Sequence, residues 1–382
     1  MANSKSIAII GSGPAGAMAA YLLCKAGHQV VIYESKTQLK RKICGEYLCP
    51  AGVSLLNKLN LPIPKHFLPV IGMRLVTPWQ TELIGDFPQA DHLTCSGLSV
   101  PRDEFDQWML QLAIDAGAML KEGMLLSSAQ FKDDLWQLNF QHQNESTSAQ
   151  LLIGADGRQS TVAKILGWDG GHDYSRLALH TYIPHQLKLE RRGEMHLLGE
   201  GAYFGLDPVK DNELNVTLAL PAEQLRQFQN PNQCMSHFWN NHADLAQRFG
   251  VWKETYKLYS LAPINHRSVK ICNSQAALVG DAAGLVDPLT GEGIYNALMS
   301  AFLLAEAVRQ FPNDWNIHYH RQYKKLMSPK KKLNIMLQAV IKRRWVMAII
   351  ESFLRARNDR TNHFIGLIGN VWTPLQAFKK MF

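Results

Sequence analysis

Apolar and polar positions along this chain of 382 residues fall into three rhythms. The first is continuous. Ile7-Ala8-Ile9-Ile10 is a short apolar run closed by glycines, an Ala-rich stretch follows to Ala26, and Val30-Val31-Ile32-Tyr33 forms a second run ending at Glu34. Runs this short, separated by one helical stretch, predict a buried strand–helix–strand unit. The second rhythm is helical: Pro101 opens a stripe of Phe105, Trp108, Met109, Leu112 and Ala113 that stops at Gly117. Residues 222–250 carry a similar stripe (Leu225, Phe228, Phe238, Trp239, Leu245, Phe249), and Tyr295–Arg309 predicts another helix. The third is alternation at period two. It predicts strands at Trp136–Gln141 and Gln150–Ile153 and an antiparallel sheet across Leu177–Leu220.

The turn after the first run is Gly11-Ser12-Gly13-Pro14-Ala15-Gly16. Its first glycine permits a tight turn, its second lets a backbone approach a pyrophosphate, and its third lets helix and strand pack closely. The diphosphate then faces helix N–H groups that lack internal partners. Glu34, with Ser35 beside it, ends the second strand about 20 residues later, where an acid accepts from ribose hydroxyls. Dinucleotide binding is the expectation. The segment Ile7–Leu23 is apolar enough to imitate a secretory signal, but the glycine turn interrupts it and one lysine precedes it.

The length suggests two lobes and an appendage, and 46% hydrophobic residues suggest a globular fold. Cys24, Cys44, Cys49, Cys95, Cys234 and Cys272 form no CxxC pair and no metal-ligand spacing, so no metal is expected and a reducing cytoplasm fits. The net charge of +8 is uneven. Residues 329–382 hold eleven Lys and Arg against Glu351 and Asp359, leaving the rest near neutrality. Leu333–Leu354 is apolar but split by Lys342-Arg343-Arg344, too interrupted to span a bilayer. Two readings stand for this basic tail: a helix lying on anionic lipid at the inner face of the membrane, or a helical cap on the body. Nucleic acid is not expected, since no base-stacking motif accompanies the charge.

Further on come Gly154-Ala155-Asp156-Gly157 and the sequence Gly280-Asp281-Ala282-Ala283-Gly284-Leu285-Val286-Asp287-Pro288-Leu289-Thr290-Gly291-Glu292-Gly293-Ile294. The glycine turn, Arg102 before a helix, and these two motifs occur in the order of FAD-dependent oxidoreductases with the para-hydroxybenzoate hydroxylase fold. Lys42-Ile43-Cys44-Gly45-Glu46 and the Pro288–Ile294 turn most resemble the geranylgeranyl reductase family (GR2 type), over residues 5–305. The resemblance implies an α/β fold: a Rossmann-like FAD-binding domain from 1–65, 98–170 and 262–310, an antiparallel substrate sheet from 66–97 and 171–261, and a helical region at 311–382.

It also implies roles. Asp281 would hold the ribityl chain, Arg102 the diphosphate or ribityl chain, and Asp156 with Gly157 both FAD and a pyridine nucleotide. The helix after Pro288, Gly291, Glu292, Gly293 and Ile294 would point at the flavin, its dipole favouring the reduced anion. Cys44 and Gly45 would lie beside the isoalloxazine, with a buried structural role as the alternative for Cys44. Glu46 would bind flavin or substrate, or supply a proton. The family's Tyr-x-Trp-x-Phe-Pro run is here Tyr203-Phe204-Gly205-Leu206-Asp207-Pro208, keeping Tyr203 and Pro208 as substrate contacts but losing both bulky aromatic positions. The Trp-x-Trp-x-Ile-Pro run of flavin-dependent halogenases is absent. Without a second glycine fingerprint, NAD(P)H would be a transient electron donor. The leading expectation is hydride transfer to a C=C bond of an apolar isoprenoid, lipid or polyketide-like substrate. The alternatives are an NAD(P)H- and O2-dependent aromatic hydroxylase, and a membrane-surface flavin electron-transfer protein.

Overall fold

The computed structural model describes residues 4–37, 41–90, 93, 96–143, 146–285 and 287–382. The two apolar runs become parallel strands, Ser6–Ile10 and Gln29–Glu34, at the centre of a five-stranded parallel sheet. Met119–Glu122 lies beyond Gln29–Glu34, while Leu151–Gly154 and Ala276–Leu278 extend the other side. Ile7 and Ile9 are fully buried because both faces of this sheet are covered, as the continuous apolar runs require.

Helix Pro14–Lys25 crosses from the first strand to the second with Pro14 in its first turn. Its Ala15, Ala17, Ala19 and Ala20 are all buried. Small side chains allow it to pack against helices Arg102–Asp115 and Gly293–Gln310. The motif residues are thereby brought to one end of the sheet, although they lie far apart in sequence.

The alternating region forms a seven-stranded sheet whose long members are Arg176–Pro184, Arg192–Gly199, Ala202–Lys210 and Glu213–Pro221. One pairing departs from the antiparallel expectation. Gly72–Val76 runs parallel to Arg192–Gly199 and brings Glu82–Asp86 with it. The stripe at 222–250 is three short helices, Ala222–Leu225, Pro231–Asn240 and Ala243–Phe249. Asn230 caps the second through its side chain, and Pro231 prevents a continuous helix from entering it. These helices cover one face of the sheet, where Phe204, Leu206, Val216 and Leu218 pack with Trp239 and Met235.

The basic tail folds onto the body as four helices: Trp315–Ile341, Arg344–Arg355, Asn358–Ile368 and Pro374–Met381. The first links both lobes. Tyr319 Oη donates to the Leu278 carbonyl at 2.7 Å, beside the parallel sheet, while Leu333, Leu337 and Ile341 pack with Tyr203 and Met195 of the seven-stranded sheet. Among the described residues no helix is long and apolar enough to cross a membrane. Cys95 lies outside the described residues, and the other five cysteines are free thiols.

Candidate cofactor and substrate site

The glycine turn is built as its spacing demands. Gly11 has φ of +103°, and a Cβ there would stand 2.5 Å from the Ala155 carbonyl oxygen. A Cβ on Gly16 would meet the Gly11 carbonyl oxygen at 2.0 Å, so the helix can approach only without a side chain. Above Gly13, the residue preceding the helix, the nearest group to such a Cβ is the Lys42 ammonium at 3.5 Å. A cation over the open end of a helix N-terminus forms a diphosphate cradle. The sequence gives Lys42 no role beyond its place in the Lys42–Glu46 motif. Only the fold brings it from residue 42 to the glycine turn.

Glu34 ends the second strand as expected, and its carboxylate accepts from Ser12 N–H at 3.0 Å, Ser12 Oγ at 2.7 Å, Ser35 Oγ at 3.1 Å and Lys36 N–H at 3.0 Å. Burial opposes its charge, but these donors hold it below the usual carboxylate range. Asp156 accepts from Ser160 Oγ at 2.5 Å and Val162 N–H at 3.0 Å, which fixes the start of helix Thr161–Ile165. Burial nonetheless pushes the Asp156 carboxyl up. Burial also raises Asp281, against the opposing pull of Arg102, Arg158, His266 and Lys42. Among the described residues Arg158 Nε is buried without a partner, and Arg102 is clamped to Asp106 by bonds of 2.8 and 2.9 Å. Cations and an isolated acid thus converge where the glycine turn, Gly157 and Gly280 meet. This set suits a ligand with diphosphate and hydroxyl groups.

At the other end of the site, Thr290 Oγ1 donates to Glu292 at 2.8 Å, and Glu292 precedes helix Gly293–Gln310, with Ile294 buried in its first turn. Gly291 has φ of +65° and lies against the Tyr47 ring. The side chain of Pro288 lies outside the described ones. The tail contributes here, as no motif had indicated. Lys330 pairs with Glu292, and Asn334 Nδ2 donates to the Asp287 carbonyl at 2.8 Å. The Asp287 carboxylate in turn accepts from Tyr203 Oη at 2.9 Å and Arg176 Nε at 2.7 Å. Tyr203, expected against substrate, therefore ties the sheet to the Gly280–Ile294 segment, while Pro208 lies five residues along the same strand.

Between these ends lies the Cys44-Gly45-Glu46 segment. Glu46 is fully buried with φ of +55°, and its carboxylate receives Arg41 Nε at 2.8 Å, Arg41 Nη2 at 2.7 Å, Arg102 N–H at 2.8 Å and Asn215 Nδ2 at 3.3 Å. This network holds a left-handed backbone that a free glutamate would rarely adopt. Asn215 also donates to the Cys44 carbonyl at 2.7 Å, and the Arg41 guanidinium stacks 3.6 Å from the Tyr182 ring. Cys44 is half-buried. Desolvation pushes its thiol up, only partly offset by Arg102, so it is protonated at neutral pH.

Among the described residues, His196, His242 and Asp244 come together with metal-type spacing that the sequence did not reveal. Arg74 and Arg248 already occupy the Asp244 carboxylate, making this an ion-pair cluster between sheet and helix. Asp169, His172 and His266 form a second such group.

A Rossmann-like sheet ending in a glycine cradle, and a second sheet closing over it, define a dinucleotide-dependent oxidoreductase. Residues 4–316 match the FAD binding domain family, and the chain belongs to it. It is similar to menaquinone reductase of Mycolicibacterium smegmatis, 26% identical with 88% of this chain and 85% of that one covered. It is also similar to digeranylgeranylglycerophospholipid reductase of Thermoplasma volcanium, 24% identical with 85% and 83% covered. A flavoprotein/dehydrogenase from Cytophaga hutchinsonii shares the fold, with a TM-score of 0.79, 19% identity and coverage of 98% and 95%. The protein is an FAD-dependent oxidoreductase.

Proposed function

We propose that this oxidoreductase saturates carbon–carbon double bonds of an apolar, isoprenoid or polyketide-like substrate, using FAD recharged by a transiently bound NAD(P)H. Bound FAD, once reduced, supplies the hydride. Gly11, Gly13, Gly16, Lys42, Arg102, Arg158 and Asp281 would hold it. The observation that carries this reading is the packing of the seven-stranded sheet against Cys44–Glu46, where Asn215 reaches the Cys44 carbonyl and Tyr182 stacks on Arg41, so that the polar face of a substrate sheet lies next to the cofactor cradle. The menaquinone reductase and the digeranylgeranylglycerophospholipid reductase that this chain resembles support a reductive reading. Hydroxylation is the second reading. It is favoured by His180 Nε2, which among the described residues is buried without a partner on the face of the sheet that meets Arg41, and is suited to a phenolic oxygen. Oxygen uptake coupled to NAD(P)H oxidation separates the two: reduction consumes no oxygen in proportion to product.

The tail serves two purposes in this proposal. Its inner face packs on the sheet, and its outer face is the membrane contact. Trp345, Ile349 and Phe378 are 67%, 60% and 57% exposed beside Lys342, Arg343 and Lys379, a combination that suits an anionic lipid surface. A reductase of lipid-like substrates would gain its substrate there.

A further inference from the structure

The second face of the seven-stranded sheet differs from the one under the helices. Alternation along Ala202–Lys210 puts Tyr203, Gly205 and Asp207 on one side and Phe204 and Leu206 on the other. Asp207 pairs across the ladder with Asn215, and Gly205 with Thr217. Asn215 reaches the Cys44 carbonyl, so this side is the one turned toward the cofactor cradle.

Two features of this side stand out. A Cβ added to Gly205 would meet nothing within 4 Å, so open space lies over that position. Beside it the Asp207 carboxyl is partly accessible. One oxygen lies 3.8 Å from where a Gly45 Cβ would stand, and the other 2.9 Å from a Gly193 Cβ. These are the two positions at which the related run carries bulky aromatics. Their loss has left a slot and set an acid at its edge.

Glu46, for which proton supply was one of three open roles, is occupied by a bidentate arginine, a backbone N–H and an amide. Among the described residues, no arginine or lysine charge offsets Asp207. The titratable groups on its own side are Glu46 from the Cys44 segment and the Tyr47 hydroxyl, while Glu194 acts on it from the helix-covered side of the neighbouring strand. Burial first, and then the charges of Glu46 and Glu194, push its carboxyl up to about 8, so it carries a proton at neutral pH. Raised carboxylic acids beside a reaction chamber are suited to donating that proton.

We propose that Asp207 is the proton donor of this site, acting on a double bond seated in the slot over Gly205; this rests on the reductase reading above. The Asp207 O–H bond breaks and a C–H bond forms at one alkene carbon as the π bond opens. Bound reduced FAD would supply the hydride for the other carbon, and the Asp207 carboxylate regains a proton from water. NAD(P)H restores the reductant.

The test uses FAD-loaded wild type, Asp207→Asn and Gly205→Trp, with geranylgeraniol in detergent micelles as probe. Infrared difference spectra between about pH 6 and pH 9 should show a protonated carboxyl band in wild type that Asp207→Asn lacks. In deuterated water, wild type should add one solvent deuterium per saturated bond. Asp207→Asn should slow saturation on the order of 100-fold at unchanged FAD content and unchanged flavin reduction by dithionite. Gly205→Trp should bind FAD but exclude the probe. Equal rates for wild type and Asp207→Asn, or a band that survives in Asp207→Asn, would overturn the role of Asp207 while leaving the reductase reading intact. If wild type saturates nothing, the reductase reading fails and takes the proposal with it.

Discussion

The glycine turn at residues 11–16 and the strand segment around Gly205 both depend on missing side chains, with opposite consequences. At Gly16 the space of a Cβ is taken by the Gly11 carbonyl at 2.0 Å, so the absence of a side chain is spent on packing. At Gly205 the space stays open, and the absence creates room for a ligand. A larger residue in the first region breaks the fold, whereas in the second it changes only what the fold can admit.

The largest expected effect follows at once. Gly16→Val should destabilise the protein by about 3 kcal/mol or more, through overpacking against the Gly11 carbonyl and Ala155, and abolish FAD binding. Gly205→Trp should leave thermal stability and FAD content near wild type, as calorimetry and flavin absorbance will show. Equal damage at the two sites would remove the contrast.

Leu337→Ala is next. Leu337 is buried between the tail and the seven-stranded sheet, and its truncation should cost about 2–5 kcal/mol in denaturant unfolding. A cost below about 0.5 kcal/mol would show that the tail does not brace the seven-stranded sheet.

The pH dependence of stability is a finer test. The Asp207 pKa is about 8 when folded, against about 4 when unfolded. The unfolded chain therefore releases its proton first, and this group weakens the folded state as pH rises from about 4 through 8. Asp207→Asn should accordingly melt above wild type at about pH 9 and with it below about pH 4. The opposite order at alkaline pH would mean that an unseen cation neutralises Asp207.

The smallest effect expected is on membrane contact. Changing Lys342, Arg343 and Lys379 to Gln should weaken binding to anionic vesicles by about 1 kcal/mol per charge, measured by co-sedimentation at low salt. FAD content should not change.

Much of the cofactor end was legible in the sequence because its parts are local. Gly11–Gly16 and Glu34 sit within one strand–helix–strand unit, and the helix after Glu292 starts close to where the pattern put it. The site residues that escaped notice were those brought in by long-range pairing. Lys42 reaches the glycine turn from a loop, Arg158 reaches Asp281 across the cradle, and Lys330 enters from a tail that resembled only a basic appendage. Glu46 shows a different limit. The motif singled it out, but its engagement by Arg41 and Asn215 depends on side-chain geometry no spacing encodes. Asp207 lay in plain view within the altered aromatic run, yet its environment comes from Glu46 and Glu194, 161 and 13 residues away.

The parallel pairing of Gly72–Val76 with Arg192–Gly199 was hidden for the same reason. Period-two alternation specifies which side chains share a face but not the direction of the neighbouring strand. The single stripe at 222–250 likewise gave the apolar face, whereas its division into three helices came from Pro231 and the Asn230 cap.

The most direct test of the central claim is the mass of the product formed anaerobically from an isoprenoid substrate by the reduced, FAD-loaded enzyme. The account predicts a gain of two hydrogens per double bond, with one drawn from solvent. A product that forms only in air and gains an oxygen atom would contradict it.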